Sequence, residues 1–352
     1  MSDKRTYHEQ NKINATLKLR ELMKELPAFL GDYFRGIEYV NAPRTRIAYA
    51  IDLRTFFEFL HTNNSMCRNM EIHDFPFSIL NDLKSFDIEE YLDYLKFYEK
   101  DGKQYTNDER AIKRKLSALR SMYNYFHKNK MISENPVLQV NMPKLHSKAI
   151  IRLDANEVVE LLDEVESGSK LTKNQQIKHE KLKTRDLAIL TLLLGTGIRI
   201  SECVGLDLED VDFVNERIKV VRKGGNEAFI YFGEEVATAL NDYIIERKGK
   251  TPVEGHEHAL FLSSRNSRIT VRMVEIMVKK YSAAAVPLKK ITPHKLRSTY
   301  GTSLYQETGD IYLVADVLGH NDVNTTKKHY AAIEENRRMQ ARNMVKLREK
   351  DD

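Results

Sequence analysis

The stretch from Ile291 to Ala331 constrains the fold more strongly than any other part of this 352-residue chain. Thr292 is a good N-cap residue and Pro293 suits the first helical position, so a helix is predicted to begin there. Apolar residues at helical spacing then lead to Gly319, which suits the left-handed conformation that ends many helices. The stretch therefore predicts two successive helices that end in a tight turn.

Two histidines, an arginine and a tyrosine are gathered in the same stretch. His294 and Arg297 lie three residues apart at the start of the first predicted helix, so both can point at one anion. His320 directly follows the glycine turn, and Tyr330 lies in a short basic segment. We expect a phenol close to a group of cationic and hydrogen-bonding side chains.

Composition gives weaker bounds. The chain is long enough for two domains, and its 30% charged and 41% hydrophobic residues are typical of a globular protein. The net charge of +5 is only a mild hint of a polyanionic partner. Cys67 and Cys203 form no metal-ligand pattern and are interpreted as reduced thiols. Without a signal-peptide pattern or a membrane-length apolar run, we expect a cytoplasmic protein with no membrane partner.

Residues 1–140 are predicted to be wholly helical. The segment from Glu109 to Lys130 is the most informative, because its apolar residues form an unbroken helical stripe: Ile112, Leu116, Leu119, Tyr123 and Phe126. A polar stripe lies beside it, formed by Lys113, Ser117, Arg120, Asn124 and His127. Two interpretations stay open: a solvated helix face, or a face that offers cations to a phosphate backbone.

A change of domain is predicted after residue 140. Pro136 and Pro143 disfavour continued helix, and the polar residues around them indicate an interdomain linker over 141–150. Asp154 and Glu157 have the spacing of a capping box, which predicts the start of a second domain spanning 151–352. The lysine-rich segment 167–184 is interpreted as an exposed insertion or a solvated helix.

The second domain contains two further candidate cations. Arg199 follows a buried helix that ends at Gly197, and Glu202 is placed to hold its guanidinium. This pair is either an ordinary surface ion pair or an anion-binding device. Lys223 lies near the tip of a predicted hairpin between the strands 217–222 and 227–232, where a lysine is usually just solvated.

One segment invites a metal interpretation. His256 and His258 alternate with Glu254 and Glu257 in a loop that contains proline and glycine. The loop has neither a helical nor a CxxC scaffold, so a plain surface loop is the better interpretation. No metal and no cofactor are expected.

Taken in chain order, four motifs resemble the successive boxes of the tyrosine recombinase (phage integrase) family. They are G-T-G-I-R-I-S-E, R-K-G-G, T-P-H-K-L-R, and L-G-H followed by a tyrosine. The resemblance implies a mainly α fold with a small β-sheet, in which a helical core-binding (SAM-like) domain precedes a mixed α/β catalytic domain. The helical rhythm of the first domain and the polar insertion are most similar to single-protein Xer recombinases, which resolve chromosome dimers.

The resemblance also implies a site and a mechanism. Its catalytic residues are Arg199, Lys223, His294, Arg297, His320 and the nucleophile Tyr330, with Glu202 orienting the first arginine. Tyr330 would form a 3′-phosphotyrosyl link to DNA without ATP or a divalent metal. Two features depart from the common pattern: Ser298 stands where a histidine is frequent, and His329 occupies the ninth place after His320, so the phenol comes tenth.

The implied partner is a double-stranded DNA recombination site, bound by a homotetramer that joins two such sites. The candidate DNA contacts are Lys113, Arg120, Lys128 and Arg222. A DNA translocase or an accessory DNA-bending protein is a further candidate partner. The basic tail after Ala331 is either a solvated helix end or a helix that docks into the neighbouring protomer.

Three alternatives stay open at this point. The first is an integrase of a mobile element, which uses the same motifs. The second is a non-catalytic architectural DNA-binding protein, although such a protein has no need of a phenol beside the basic cluster. The third is a metal-dependent nuclease or transposase built on the carboxylates Glu202, Asp207, Asp210 and Asp212.

Overall fold

The chain divides into two compact units, residues 1–148 and 149–352. The computed structural model describes residues 6–146, 151–222 and 225–319. The predicted fold class, mainly α with a small β-sheet, is confirmed. No helix in these described ranges combines the length and the apolarity needed to cross a membrane.

Residues 6–146 of the first unit form a bundle of six α-helices: α1 (Tyr7–Met23), α2 (Leu30–Gly36), α3 (Pro43–Asn63), α4 (Ile79–Asp82), α5 (Ser85–Tyr94) and α6 (Glu109–Lys128). Short 3-10 helices cover Ile72–Asp74 and Pro136–Leu138. The predicted apolar stripe of α6 is confirmed, since each of its five residues is buried. The core of the first unit is rich in aromatic residues, and Phe126 makes edge-to-face contacts there with Phe29 and Phe77.

The prediction that residues 1–140 are wholly helical is wrong at one place. Strands β1 (Phe97–Lys100) and β2 (Lys103–Thr106) form an antiparallel hairpin after α5. Asp101 and Gly102 both have positive φ, 51° and 69°, as a two-residue hairpin turn requires. The Asp-Gly dipeptide between alternating aromatic and polar residues was the available signal.

In the described part of the second unit, eight α-helices and a three-stranded sheet are present. The helices are α7 (Ala155–Ser167), α8 (Lys173–His179), α9 (Lys183–Thr196), α10 (Ile200–Cys203), α11 (Glu234–Lys248), α12 (Val271–Ala285), α13 (Pro293–Thr308) and α14 (Ile311–Leu318). A 3-10 turn covers Leu208–Asp210. Asp154 and Glu157 form the predicted capping box, and Gly197 and Gly319 end their helices at φ 62° and 61°, as predicted.

The sheet is antiparallel throughout, with the order β3 (Val211–Asp212), β4 (Arg217–Val221) and β5 (Glu227–Tyr231). Ile218 pairs with Ile230, and both side chains are buried. The predicted hairpin is therefore confirmed within one residue at each strand end. β4 is the central strand of the sheet and pairs with β3 on one side and β5 on the other, and Arg222 directly follows it.

The lysine-rich segment 167–184 is not simply solvated. His179, at the end of α8, is 1% exposed, and its Nδ1 lies 3.0 Å from the Tyr281 hydroxyl on α12. That hydroxyl donates to Asp186 at 2.9 Å, and Arg185 donates to the same carboxylate. The interpretation as an exposed insertion is wrong for this end of the segment, because a buried polar network anchors it to α9 and α12.

Candidate active site

Arg199 is held by Glu202 at both its backbone and its side chain. The chain leaves α9 through the left-handed Gly197, so that Arg199 becomes the N-cap residue of α10. Glu202 Oε2 accepts from the Arg199 backbone N–H at 2.7 Å, and Oε1 accepts from Nη1 at 2.7 Å. Glu202 is nearly buried, whereas one third of the Arg199 side chain is exposed. A fixed, partly open guanidinium is suited to binding an anion.

Arg297 projects from α13 into the same region and is only 6% exposed. Its Nη1 donates to the Gly197 carbonyl at 2.6 Å, and its Nη2 donates to the Leu318 carbonyl. The first contact ties it to the turn that delivers Arg199. The structure therefore brings together two arginines that are far apart in the sequence.

A third arginine completes this arrangement at the end of α14. Arg222 donates from Nη1 to the Asp316 carbonyl at 3.3 Å and from Nη2 to the Val317 carbonyl at 3.0 Å. Arg199 Nη2 donates to the Gly319 carbonyl at 2.9 Å. We call these three residues, Arg199, Arg222 and Arg297, the arginine collar. The collar donates to main-chain carbonyls at the C-terminal end of α14, and its charge faces the negative end of the helix dipole.

The remaining predicted catalytic residues fall partly outside the described ranges. His294 lies in the first turn of α13, on the surface, as its predicted position requires. Lys223, His320 and Tyr330 lie outside the described residues, and their roles stay predictions. In the sequence, Lys223 directly follows Arg222, which belongs to the collar. His320 directly follows Gly319, whose carbonyl accepts from Arg199 of the collar.

Three other tyrosines, Tyr300, Tyr305 and Tyr312, belong to α13 and α14. Tyr305 is buried against Val314 and Leu318 in a small apolar cluster. Tyr300 is half-buried, and burial raises the pKa of its phenol above the ordinary value. Tyr312 is 72% exposed on α14. Tyr312 is thus the accessible phenol against which a role for Tyr330 has to be tested.

A cleft of about 470 Å³ opens beside His294 and the start of α13. Three cationic residues line it, Arg272 and Lys279 from α12 and Lys290 from the loop before α13. All three are exposed, and Arg272 also pairs with Glu275 at 3.2 Å. Sequence reasoning missed this group, because the three cations are spread over two elements and no local pattern links them. Such a cleft is suited to a phosphate backbone.

The predicted DNA contacts differ in their surroundings. Lys128 is exposed at the end of α6, and Lys113 is half-buried on the same helix. Arg120 Nη2 donates to the Val140 carbonyl at 2.6 Å, and Asn124 accepts from Asn135 at 2.8 Å. Two of the five residues of the polar stripe thus bind the chain segment that follows α6. Arg222 belongs to the collar.

The carboxylates considered for metal binding have local partners. Asp207 accepts from Arg268, and Asp212 accepts from Arg217 at 3.0 Å. In the loop that contains the two histidines, His258 Nδ1 lies 2.7 Å from Glu209. Within the described residues, no group of three or more His, Cys, Asp or Glu side chains is arranged to hold a metal ion.

Comparison with known proteins agrees with this geometry. Residues 151–337 match the phage integrase family. The chain is 35% identical over 330 residues to tyrosine recombinase XerC of Caldanaerobacter subterraneus, covering 89% of this chain and 86% of the relative. It is 31% identical over 334 residues to tyrosine recombinase XerS of Streptococcus mutans, covering 88% and 93%.

Solved structures share the fold at lower identity. A complex of the XerH site-specific recombinase with a palindromic difH substrate superposes with a TM-score of 0.63 at 19% identity, covering 85% of this chain and 79% of that one. The Tn1549 transposon integrase, in complex with circular intermediate DNA, gives 0.61 at 23% identity, covering 85% and 93%.

The chain therefore belongs to the phage integrase family, the tyrosine recombinases, which are site-specific enzymes that cleave and rejoin DNA strands. Its curated relatives XerC and XerS are recombinases of the Xer type, the group that the helical rhythm of the first domain and the polar insertion indicated.

Proposed function

We propose that this recombinase forms a 3′-phosphotyrosyl link through Tyr330 and acts in chromosome dimer resolution. The observation that carries the catalytic part is the convergence of Arg199 and Arg297 on the end of α14, directly before His320. Two fork-shaped cations held at fixed positions are what a phosphoryl-transfer transition state requires.

The reaction needs a nucleophile and a general acid that donates a proton to the leaving oxygen. Tyr330 Oη attacks the phosphorus, the bond from phosphorus to the 5′-oxygen breaks, and a phosphotyrosyl bond replaces it. The phenol has an ordinary pKa near 10, so its proton must leave during attack, and His294 assists that transfer. Lys223 donates a proton to the departing 5′-oxygen. Religation reverses these steps with a new strand, so neither ATP nor a divalent metal is needed.

The two arginines stabilise the extra negative charge on the non-bridging oxygens, helped by His320 as a hydrogen-bond donor. Burial of Arg297 favours this role, because an electrostatic interaction is stronger where water is excluded. Arg199 donates from Nη1 and Nη2 in the contacts described above. A guanidinium has five N–H donors, so Arg199 has further donors to offer a phosphate.

We propose a division of labour between the two parts of the chain. Residues 1–140 would form the core-binding domain, 141–150 the linker, and 151–352 the catalytic domain, whose terminal helix docks into a neighbouring protomer. Lys113 and Lys128 would contact the backbone of the recombination site, together with the basic cleft beside His294. A homotetramer would join two sites, with a DNA translocase or a DNA-bending protein as its activator.

Support for the Xer role comes from the curated relatives, which are tyrosine recombinases XerC and XerS at 35% and 31% identity. The second candidate is integration or excision of a mobile element, which the likeness to the Tn1549 transposon integrase keeps open. These two differ in biological setting and share one chemistry. Deletion of the gene distinguishes the two roles. If the protein resolves chromosome dimers, the deletion leaves undivided chromosomes. Removing homologous recombination from the same cells should then restore their division.

Covalent trapping tests the chemistry directly. The full-length protein is incubated in EDTA with a nicked suicide duplex that carries its recombination site, then denatured and examined for a protein–DNA adduct. We expect an adduct with the wild type and with Tyr312→Phe, and none with Tyr330→Phe. An adduct that survives Tyr330→Phe would refute the assignment of the nucleophile. A site that is bound and synapsed without any adduct would favour the architectural alternative.

A further inference from the structure

We propose that Arg222 is a positioning residue for the proton donor, and that it does not contact DNA. It fastens the exit of β4, directly before Lys223, to the end of α14. This inference rests on the proposed function, in which Lys223 protonates the leaving 5′-oxygen. The DNA contact expected for Arg222 from sequence would be replaced by this role.

The contacts of Arg222 are intramolecular and use both ends of its fork. Nη1 and Nη2 donate to the carbonyls of consecutive residues, Asp316 and Val317, at 3.3 and 3.0 Å. A planar guanidinium fits two neighbouring acceptors in one orientation, which an ammonium group does not do. These two bonds hold the Arg222 guanidinium against the main chain at the end of α14.

The end of α14 is shaped to receive this side chain. A Cβ added at Gly319 would lie 2.3 Å from Arg222 Nη1 and 2.6 Å from its Cζ. Gly319 also has a φ of +61°, which favours glycine by itself. The absence of a side chain at position 319 therefore serves two purposes: it ends the helix, and it leaves the space that the guanidinium fills.

The other end of the connection is equally well fixed. β4 is the central strand of its sheet, and Ile218 and Val220 bury its inner face. The Arg222 backbone N–H donates to the Asn226 carbonyl at 2.8 Å, and its carbonyl accepts from Gly225 at 3.0 Å. Arg222 thus ties the hairpin base to α14 through its side chain while its backbone closes the hairpin.

The chemical consequence concerns the position of the lysine that follows. A general acid must reach the leaving oxygen within hydrogen-bond distance, and a displacement of about 1 Å can slow a reaction by about 10²-fold. A lysine side chain is long and flexible, so the reach of its ammonium group depends on where its backbone is held. Arg222, the residue before Lys223 in the sequence, is bound to the same helix end as Arg199 and Arg297.

A sulfur-substituted substrate tests this role. Two suicide duplexes are compared, one ordinary and one with sulfur in place of the bridging 5′-oxygen. A thiolate leaves without a proton, since thiols have a pKa near 8.5. We expect Arg222→Ala to slow adduct formation by about 10²-fold on the ordinary duplex, and to react within a few-fold of the wild type on the sulfur duplex. Lys223→Ala should show the same rescue.

A charge-conserving variant separates positioning from phosphate binding. Arg222→Lys keeps the charge and loses the fork, so we expect the same rescue pattern as for Arg222→Ala. The dependence of DNA affinity on salt should be unchanged in both variants, whereas loss of one phosphate contact lowers the slope of log K against log salt by about 0.9. Circular dichroism and thermal unfolding show whether each variant folds. If Arg222→Ala does not fold, the salt slope of Arg222→Lys decides whether Arg222 contacts a phosphate.

Two results would overturn the inference: an equal defect on both duplexes, or a lowered salt slope with a normal rate at saturating protein. The proposed function fails separately. If the wild type forms no adduct on either duplex, the function is wrong, whereas a reactive wild type matched by Arg222→Ala on ordinary DNA refutes the role of Arg222 alone.

Discussion

The Glu202 carboxylate holds Arg199 twice, with Oε2 on the backbone N–H and Oε1 on Nη1, each at 2.7 Å. One buried side chain thereby sets both where α10 begins and where the guanidinium points. The two oxygens have separate duties, so substitutions at this position separate the backbone cap from the orientation of the guanidinium.

Glu202→Ala should slow single-turnover adduct formation by about 10- to 100-fold, because a hydrogen bond to a charged group contributes about 1.5–3 kcal/mol. Glu202→Gln keeps one acceptor oxygen, so its rate of adduct formation should lie between those of the wild type and Glu202→Ala. DNA affinity should change little. Glu246→Ala is the control, since it removes a carboxylate of α11 that is one third exposed and paired with Lys250. Adduct formation by Glu202→Ala at the rate of the control would contradict this.

Of two adjacent lysines, one is expected to contribute to DNA binding and the other is not. Lys290 lines the basic cleft, whereas Lys289 donates to Glu157 at 2.6 Å and to Asp154 at 3.2 Å. Lys290→Ala should lower the slope of log affinity against log salt by about 0.9, the amount for one phosphate. Lys289→Ala should leave the slope unchanged. Equal slopes in both variants, measured by fluorescence anisotropy, would remove the cleft from the DNA interface.

A methyl group at Gly197 should damage the collar through backbone and packing together. Gly197 has φ +62°, and an added Cβ would lie 2.3 Å from Tyr300 Cδ1. Left-handed backbone alone costs an alanine about 1–2 kcal/mol, and overpacking adds about 1–3 kcal/mol. Gly255 isolates the first term, because its φ is +81° and nothing lies within 4 Å of an added Cβ.

Urea unfolding of Gly197→Ala and Gly255→Ala measures that difference in the free energy of unfolding. The Gly197 carbonyl also accepts from Arg297, so Gly197→Ala should lose cleavage activity, and Gly255→Ala should keep it. Indistinguishable midpoints in the two variants would show that the turn around Gly197 accommodates the methyl group.

The two thiols should react slowly and with an unusual pH profile. Burial raises the pKa of Cys67 to about 11 and, together with the nearby Glu202 charge, that of Cys203 to about 12. Because the thiolate is disfavoured in the folded protein, alkylation should still rise about tenfold per pH unit between pH 8 and 10. Unfolded protein should level off above its ordinary pKa near 8.5.

Single Cys67→Ala and Cys203→Ala variants assign the two rates. A plateau near pH 8.5 in the folded protein would mean that burial does not disfavour the thiolate.

Local chemistry made much of the fold predictable. The start of α13 at Thr292 and Pro293, the capping box of Asp154, and the helix ends at Gly197 and Gly319 depend on residues a few positions apart. The same holds for the hairpin of β4 and β5. The hairpin of β1 and β2 had an equally local signal in its Asp-Gly turn, and the surrounding helices obscured it.

Contacts that join distant segments were out of reach. The sequence indicated that Arg222 is cationic and close to Lys223, but its acceptors lie 94 and 95 residues further along the chain. His179 looked like part of a polar insertion because its partner, Tyr281, is 102 residues away. The cleft cations likewise meet only through the packing of α12 beside the loop before α13. The roles of Lys223, His320 and Tyr330 stay predictions.

Every acceptor that the collar uses on α14 is a main-chain carbonyl, from Asp316 to Gly319. A main-chain acceptor is present whatever side chain its residue carries, so the identities of residues 316–318 are not specified by these bonds. Substitution can therefore reshape the outer surface of this helix end while the guanidiniums keep their places. Position 319 is restricted to glycine, and Val314 and Leu318 are restricted by their burial against Tyr305. A chimaera that exchanges α14 between relatives should stay active as long as it keeps that glycine and apolar residues at positions 314 and 318.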